Sequence, residues 1–165
     1  MPVGLGWDIH RFQAGRPLIL GGVEIPHERG LAGHSDADAL LHALCDAILG
    51  AAGLGDIGQH FPDTDPRWKG AASDVFVRQA VEEIGRRRLR VVNVDATIVT
   101  EQPKIGPHRQ KIREKVAEIL AIDVAAVNVK AKTMEGVGPV GRGEALETLV
   151  VVQLDPVTER PLGLY

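Results

Sequence analysis

The chain has 165 residues, 44% of them hydrophobic and 25% charged, a composition that fits one globular domain large enough to bury a core. Its 22 acidic and 19 basic side chains give a formal net charge of −3, which argues against a broad nucleic-acid-binding surface and leaves any anionic ligand to local groups. One cysteine, Cys45, excludes an internal disulfide, no signal peptide opens the chain, and no apolar run reaches the ~20 residues of a membrane span, so a cytoplasmic protein is expected.

In chain order, Val3 to His10 and Pro17 to Ile25 read as short strands punctuated by Ala14-Gly15, Gly21-Gly22 and Pro26. Ser35, with Asp38 three residues on, reads as the N-cap of a helix whose apolar positions Ala39, Leu40, Leu41, Leu44, Ala47 and Ile48 run to a stop at Gly53. A second helix is predicted from about Ser73 to Arg88. A third follows Pro107, a residue suited to a first helical position, with Ile112, Val116, Ile119 and Leu120 as its buried stripe. Val92, Val94, Ala96 and Ile98 mark one face of a strand, Val127, Val129 and Ala131 mark another, and Leu146 to Leu154 reads as a largely buried one. The expected architecture is a single α+β domain over residues 1–165, a mixed β-sheet with helices packed on one face, ending in a polar tail over 155–165 that should fray.

Chemistry enters at Asp8-Ile9-His10. On a strand these side chains project from one face about 7 Å apart along the backbone, close enough to grip one ion, although a hydrogen-bonded surface pair has the same spacing. On the first helix, at ~100° per residue, Ser35, Asp38, His42 and Asp46 fall within a polar arc of roughly 80° opposite Leu40, Leu41, Leu44 and Ile48. The plainer alternative is a solvated face, but the neighbours are Ala and Leu rather than Lys and Glu. His42 then makes a third ligand, and an Asp, His, His set with an open fourth position is the pattern of catalytic zinc. Asp56-Ile57-Gly58 and Phe61-Pro62-Asp63-Thr64-Asp65-Pro66 are stiff acidic loops suited to cations or sugar hydroxyls, or simply Asx turns. Thr100 to Pro107 and Lys132-Thr133-Met134-Glu135-Gly136 join strand ends to backbone N–H groups that suit an anion or a base edge, and Arg142 in Gly141-Arg142-Gly143-Glu144 suits a phosphate.

Taken in order, Asp-x-His, His-Ser-Asp-x-Asp, Asp-Ile-Gly, Phe-Pro-Asp-Thr-Asp-Pro, Pro-Lys and Gly-Arg-Gly-Glu resemble the 2-C-methyl-D-erythritol 2,4-cyclodiphosphate synthase family of the non-mevalonate isoprenoid pathway, from about residue 3 to residue 152. The resemblance implies a homotrimer with sheets around a threefold axis and active sites between subunits. It implies a lyase that converts 4-diphosphocytidyl-2-C-methyl-D-erythritol 2-phosphate to the cyclic diphosphate and CMP. By the same resemblance Asp8, His10 and His42 hold zinc or another divalent cation, and Glu135 helps place a second cation, magnesium or manganese, between the substrate phosphates. The resemblance further implies that His34 and Thr133 stabilise the transition state, and it implies the following contacts. Asp8, His10, His34, Ser35, Asp56, Ile57, Gly58, Phe61, Pro62, Asp63, Thr64 and Asp65 meet the methylerythritol and phosphate parts. Thr100, Glu101, Gln102, Pro103, Lys104, Ile105, Gly106, Lys132, Thr133, Met134, Glu135 and Arg142 frame the nucleotide. Arg142 and Glu144 also lie where such trimers line an axial cavity for an isoprenoid diphosphate. The chain departs from the family at Lys132 and Met134, in a stretch usually rich in threonine, and at Pro139, where many relatives carry an aromatic residue.

A zinc-dependent phosphohydrolase would share the triad, and a non-catalytic trimeric binding module could use the metal only to brace its fold. Arg86-Arg87-Arg88 is expected as a solvated helix C-terminus rather than an RNA patch, Cys45 as a small packing residue, and His27, His60 and His108 in surface or cap roles.

Overall fold

Strand β1 (Val3–Ala14) alternates along its length: Gly4 and Gly6 are buried and Asp8 and His10 half-buried, while Val3, Leu5, Trp7 and Ile9 lie exposed on the other side. It runs four residues past the expected end, because its last residues pair with β4 (Arg29–Leu31), Phe12 facing Leu31. Between them β2 (Leu18–Leu20) and β3 (Val23–Ile25) form a small hairpin across Gly21-Gly22. The computed structural model describes residues 1–157.

The remaining elements follow as α1 (Ala39–Ala51), α2 (Ile57–His60), α3 (Asp74–Arg86), β5 (Leu89–Val99), α4 (Arg109–Leu120), β6 (Val127–Lys132), α5 (Gly138–Gly141) and β7 (Ala145–Pro156). The main sheet has the order β4-β1-β7-β5-β6, with β5 and β6 parallel and the other pairs antiparallel. Parallel neighbours need a crossover, and α4 supplies it. One sheet face presents Leu146, Val150, Val152, Val94, Ile98, Val127 and Val129 to the core beneath α1, α3 and α4. The opposite face carries Val3, Leu5, Trp7, Ile9 and Val151, left 39–65% exposed.

Several local expectations shift. The first helix is capped by Asp38, not Ser35: Ala37 takes φ 60°, so the backbone is not helical until after it, and the Asp38 side chain accepts the Leu41 N–H. Asp38 is fully buried and also accepts the N–H groups of Gly21 and Gly22, which removes it from the expected polar arc; burial pushes its carboxyl up, to about 6, against those three donors. The third helix starts at Arg109 because Pro107 sits in a 3-10 turn ahead of it, and α3 ends at Arg86. In β5 a bulge at Val92 moves Val91 onto the core face in its place. Residues 155 and 156 belong to β7, facing Arg90 and Leu89, so the expected fraying tail does not begin there; its part beyond residue 157 lies outside the described residues. Among the described residues no helix is long and apolar enough to cross a membrane.

Candidate active site

The metal-capable residues come together because α1 lies directly on the backbone of β1. A Cβ on Gly6 would stand 1.8 Å from the Ala43 carbonyl oxygen, and one on Gly4 2.0 Å from that of Ala47, so only glycine permits this approach. It delivers His42, one residue before Ala43, to the strand face that carries Asp8 and His10. Asp8 Oδ2 lies 2.8 Å from His10 Nε2 and 3.1 Å from His42 Nδ1, and the two ring nitrogens are 3.3 Å apart. These three ligand atoms form a group able to hold one cation.

The opposite nitrogen of each ring is held from outside. His10 Nδ1 donates to the Ala32 carbonyl at 2.5 Å; a carbonyl can only accept, so in the neutral ring the Nε2 lone pair faces Asp8, and only a second proton on the ring, at Nε2, makes the hydrogen bond to that carboxylate. His42 Nε2 lies 2.9 Å from Ser73 Oγ and 3.0 Å from Ser35 Oγ. Ring orientation by such outer bonds is the usual support of metal-ligating histidines, so the donor set fits a divalent cation and leaves a fourth position open. Burial works to raise the Asp8 carboxyl, but hydrogen bonds and charge from His10 and His42 outweigh it and hold the group well below the usual carboxylate range. Burial works to lower His10, and its bond to Asp8 raises it instead.

Beside the triad opens a cavity of about 490 Å³ lined by both histidines, His34, Ser35, Ile57, Gly58, Phe61, Pro62 and Asp63. Trp68 and Phe76, absent from the sequence expectations, complete its wall, with the Phe61 ring 4.8 Å from Phe76 and 5.3 Å from Trp68. Asp56, Thr64 and Asp65 do not line it: the Asp56 carboxylate caps α2 through Gln59, and that of Asp65 holds Arg67 at 2.6 Å. Asp46, expected in the polar arc, accepts the Ile57 N–H at 2.6 Å and so ties the α2 loop to α1; burial raises its carboxyl.

A separate hollow of about 410 Å³ forms at the β5–β6 edge from Thr100, Pro103, Lys104, Ile105, Gly106, Pro107, Ala131, Lys132 and Thr133. Glu101 braces it by accepting the N–H of Met134 at 2.9 Å, Thr100 Oγ1 donates to the Gln102 carbonyl, and the Thr133 hydroxyl donates to Glu135, whose φ is 51°. Arg142 is paired through its guanidinium with Glu144, both exposed. The two hollows share no residue. Asp8, Thr148, Ile98 and Ala131 form one cross-strand row, so the sites stand three strand spacings apart, about 14 Å.

Other expectations hold. Cys45 is buried with its thiol toward the Phe76 carbonyl, Arg86 and Arg87 pair with Glu83 at the end of α3, and His108 is the N-cap of α4. As site residues, sequence reasoning missed Gly4, Gly6 and Ser73 as it did Trp68 and Phe76, and it gave Asp36 no role although that residue stands in the His-Ser-Asp-x-Asp motif. The glycines also carried a signal, two in one strand in phase with Asp8 and His10.

The YgbB family matches residues 1–155. A 2-C-methyl-D-erythritol 2,4-cyclodiphosphate synthase of Solibacter usitatus (strain Ellin6076) is 59% identical over 152 residues, 92% of this chain and 96% of the relative. The solved CDP-bound form of a 2C-methyl-D-erythritol-2,4-cyclodiphosphate synthase has a TM-score of 0.86 at 40% identity, over 93% of this chain and 99% of that one. The bifunctional IspDF of Campylobacter jejuni gives a TM-score of 0.91 at 41% identity over 94% of this chain, which spans 42% of that longer protein. Since the match runs through β1, α1 and both hollows, the chain belongs to the YgbB family, that of the 2-C-methyl-D-erythritol 2,4-cyclodiphosphate synthases.

Proposed function

We propose that the chain converts 4-diphosphocytidyl-2-C-methyl-D-erythritol 2-phosphate to 2-C-methyl-D-erythritol 2,4-cyclodiphosphate and CMP. The observation that carries this reading is the Asp8, His10, His42 triad beside a cavity that also holds His34, Ser35 and Asp63. An oxygen of the 2-phosphate attacks the β-phosphorus, the bond from that phosphorus to the oxygen of CMP breaks, and CMP leaves with the electron pair; no water enters. The protein's work is therefore positioning and charge neutralisation.

Asp8, His10 and His42 would hold a divalent cation, zinc by the donor set, which supplies Lewis-acid polarisation of a phosphate oxygen. His34 and Ser35 meet phosphate in the loop before α1, while Ile57, Gly58 and the Phe61 to Asp63 turn enclose the methylerythritol part. At the β5–β6 hollow, the segment from Thr100 to Gly106 with Lys132 and Thr133 receives the cytidine diphosphate. Glu135, one oxygen engaged by the Thr133 hydroxyl, keeps the other for magnesium or manganese. Thr133 and His34 act on the charge that builds in the transition state.

Three copies would assemble with the exposed apolar faces of β1 and β7 around a threefold axis, so that the β5–β6 hollow of one subunit completes the triad pocket of the next; the 65% exposed Leu5 and 53% exposed Trp7 support this. Arg142, one per subunit, would meet an isoprenoid diphosphate on that axis. Incubation with the cytidylylated substrate and magnesium, followed by mass analysis, tests the activity: cyclic product with CMP supports it. Open-chain product with inorganic phosphate indicates a hydrolase. Absence of turnover in a protein that chelation melts indicates a metal-braced binding module.

A further inference from the structure

Ser73 stands at the N-cap of α3, where serine ordinarily bonds a free N–H of its own helix, yet its hydroxyl makes no capping bond. The side chain, fully buried, turns the other way, toward His42 and Asp36. A serine has a single hydroxyl hydrogen. Asp36 accepts both the Ser73 hydroxyl and, at 3.1 Å, the Ser73 N–H, and a carboxylate offers no hydrogen in return. The Ser73 hydrogen is therefore committed to Asp36, and only lone pairs remain for His42 Nε2 at 2.9 Å. His42 Nε2 must supply the hydrogen of that bond, so the neutral ring, the form that binds a metal, keeps its Nδ1 lone pair toward Asp8.

Asp36 is itself held: its N–H donates to the Ala71 carbonyl at 3.0 Å and its carboxylate accepts the Asp38 N–H at 3.2 Å. Ser35 Oγ, also near His42 Nε2, lacks this constraint. It accepts the Ala37 N–H at 3.1 Å, and no carboxylate fixes its hydrogen, so by itself it can face the ring as donor or acceptor.

We propose that Ser73, locked by Asp36, is a positioning residue that fixes the tautomer and orientation of His42 and thereby sets the affinity of the Asp8, His10, His42 group for a divalent cation. The inference rests on that group being a metal site. Without Ser73 the ring is left to the ambivalent Ser35 hydroxyl, and loss of such outer support typically weakens metal binding about 10- to 100-fold.

The test is zinc affinity by chelator competition, with the cobalt(II) absorption spectrum as a second readout, on wild type, Ser73→Ala, Asp36→Asn and the double variant. Ser73→Ala should bind zinc 10- to 100-fold more weakly and give an altered cobalt spectrum, while the metal-free protein stays folded, its melting point lowered by the lost bonds to Asp36 and His42 but not by loss of a cap. Asp36→Asn should show a comparable loss, because whichever way the amide is turned its hydrogens meet either the Ser73 N–H or the Ser73 hydroxyl and Asp38 N–H, displacing Ser73, and it serves if Ser73→Ala does not fold. The double variant should be no worse than the weaker single, because both act through one chain of bonds. Zinc affinity within twofold of wild type in either single variant, with an unchanged cobalt spectrum, overturns the proposal, as do losses that multiply in the double. Failure of the wild-type protein to bind zinc or cobalt would instead remove the metal reading on which it rests.

Discussion

The contact between α1 and β1 invites a direct perturbation, Gly6→Ala. The added Cβ would meet the Ala43 carbonyl oxygen at 1.8 Å, where contact requires at least about 3.0 Å, so strand and helix must separate by more than about 1.2 Å. Both sides of the clash are backbone, and no rotamer change relieves it. His42 travels with α1 while Asp8 and His10 stay on β1, so the gap opens directly between the ligands. Metal sites tolerate deviations of only about 0.2 Å. The expected result is loss of zinc affinity by at least about 100-fold, together with roughly 1–3 kcal/mol of stability from overpacking. Gly50→Ala, on the same helix with nothing within 4 Å of the new Cβ, serves as control and should gain about 0.5–1 kcal/mol with unchanged zinc binding. Chelator competition and urea denaturation of the three proteins measure both quantities. Wild-type zinc affinity in Gly6→Ala would refute the idea that this close approach places His42.

Asp38→Ala removes the acceptor of three N–H groups, those of Gly21, Gly22 and Leu41, and should lose about 3 kcal/mol in urea denaturation; a loss under 1 kcal/mol would mean water replaces the carboxylate. His42→Ala and Lys104→Ala, each inactive, should recover part of the activity when their subunits are mixed, because each damages a different hollow; verified mixed trimers without recovery would place the site within one subunit. Calorimetry should detect saturable binding of farnesyl diphosphate to the assembled trimer, weakened at least tenfold in Arg142→Leu. No heat at several temperatures would leave the Arg142–Glu144 pair as a self-contained ion pair.

Periodicity made the frame legible: the alternation of β1, the apolar stripe of α1 and the run of β7 all lie where their patterns put them. It failed where two residues compete for one role. Val91 and Val92 are equally apolar, and only the bulge decides which faces the core. Ser35 and Asp38 are both good caps, and the left-handed turn at Ala37 decides for Asp38. At the site, spacing suggested Asp8 with His10 and made His42 a candidate, but the bonds that orient His42 come from Ser35 in the loop before α1 and from Ser73, 31 residues on. No local pattern announces such a partner, since a buried serine before a helix looks like an ordinary cap.

The layout of the sheet also bears on assembly. Asp8 and His10 share β1 with Leu5 and Trp7, but on opposite faces, so the strand that carries the metal-capable side chains inward turns its apolar residues outward. A lone subunit would leave those side chains in water, and its two hollows would stay about 14 Å apart across the sheet. Association through the outer face, as in the proposed trimer, would cover the apolar residues. It would also let the β5–β6 edge of one copy reach the β1–α1 pocket of another, so that burying that face and completing the site would be consequences of one step. Substitutions on the outer face, such as Trp7→Glu, are therefore expected to cost activity through assembly while leaving zinc binding to the inner face intact. A monomeric Trp7→Glu protein with full turnover would break that link between assembly and catalysis.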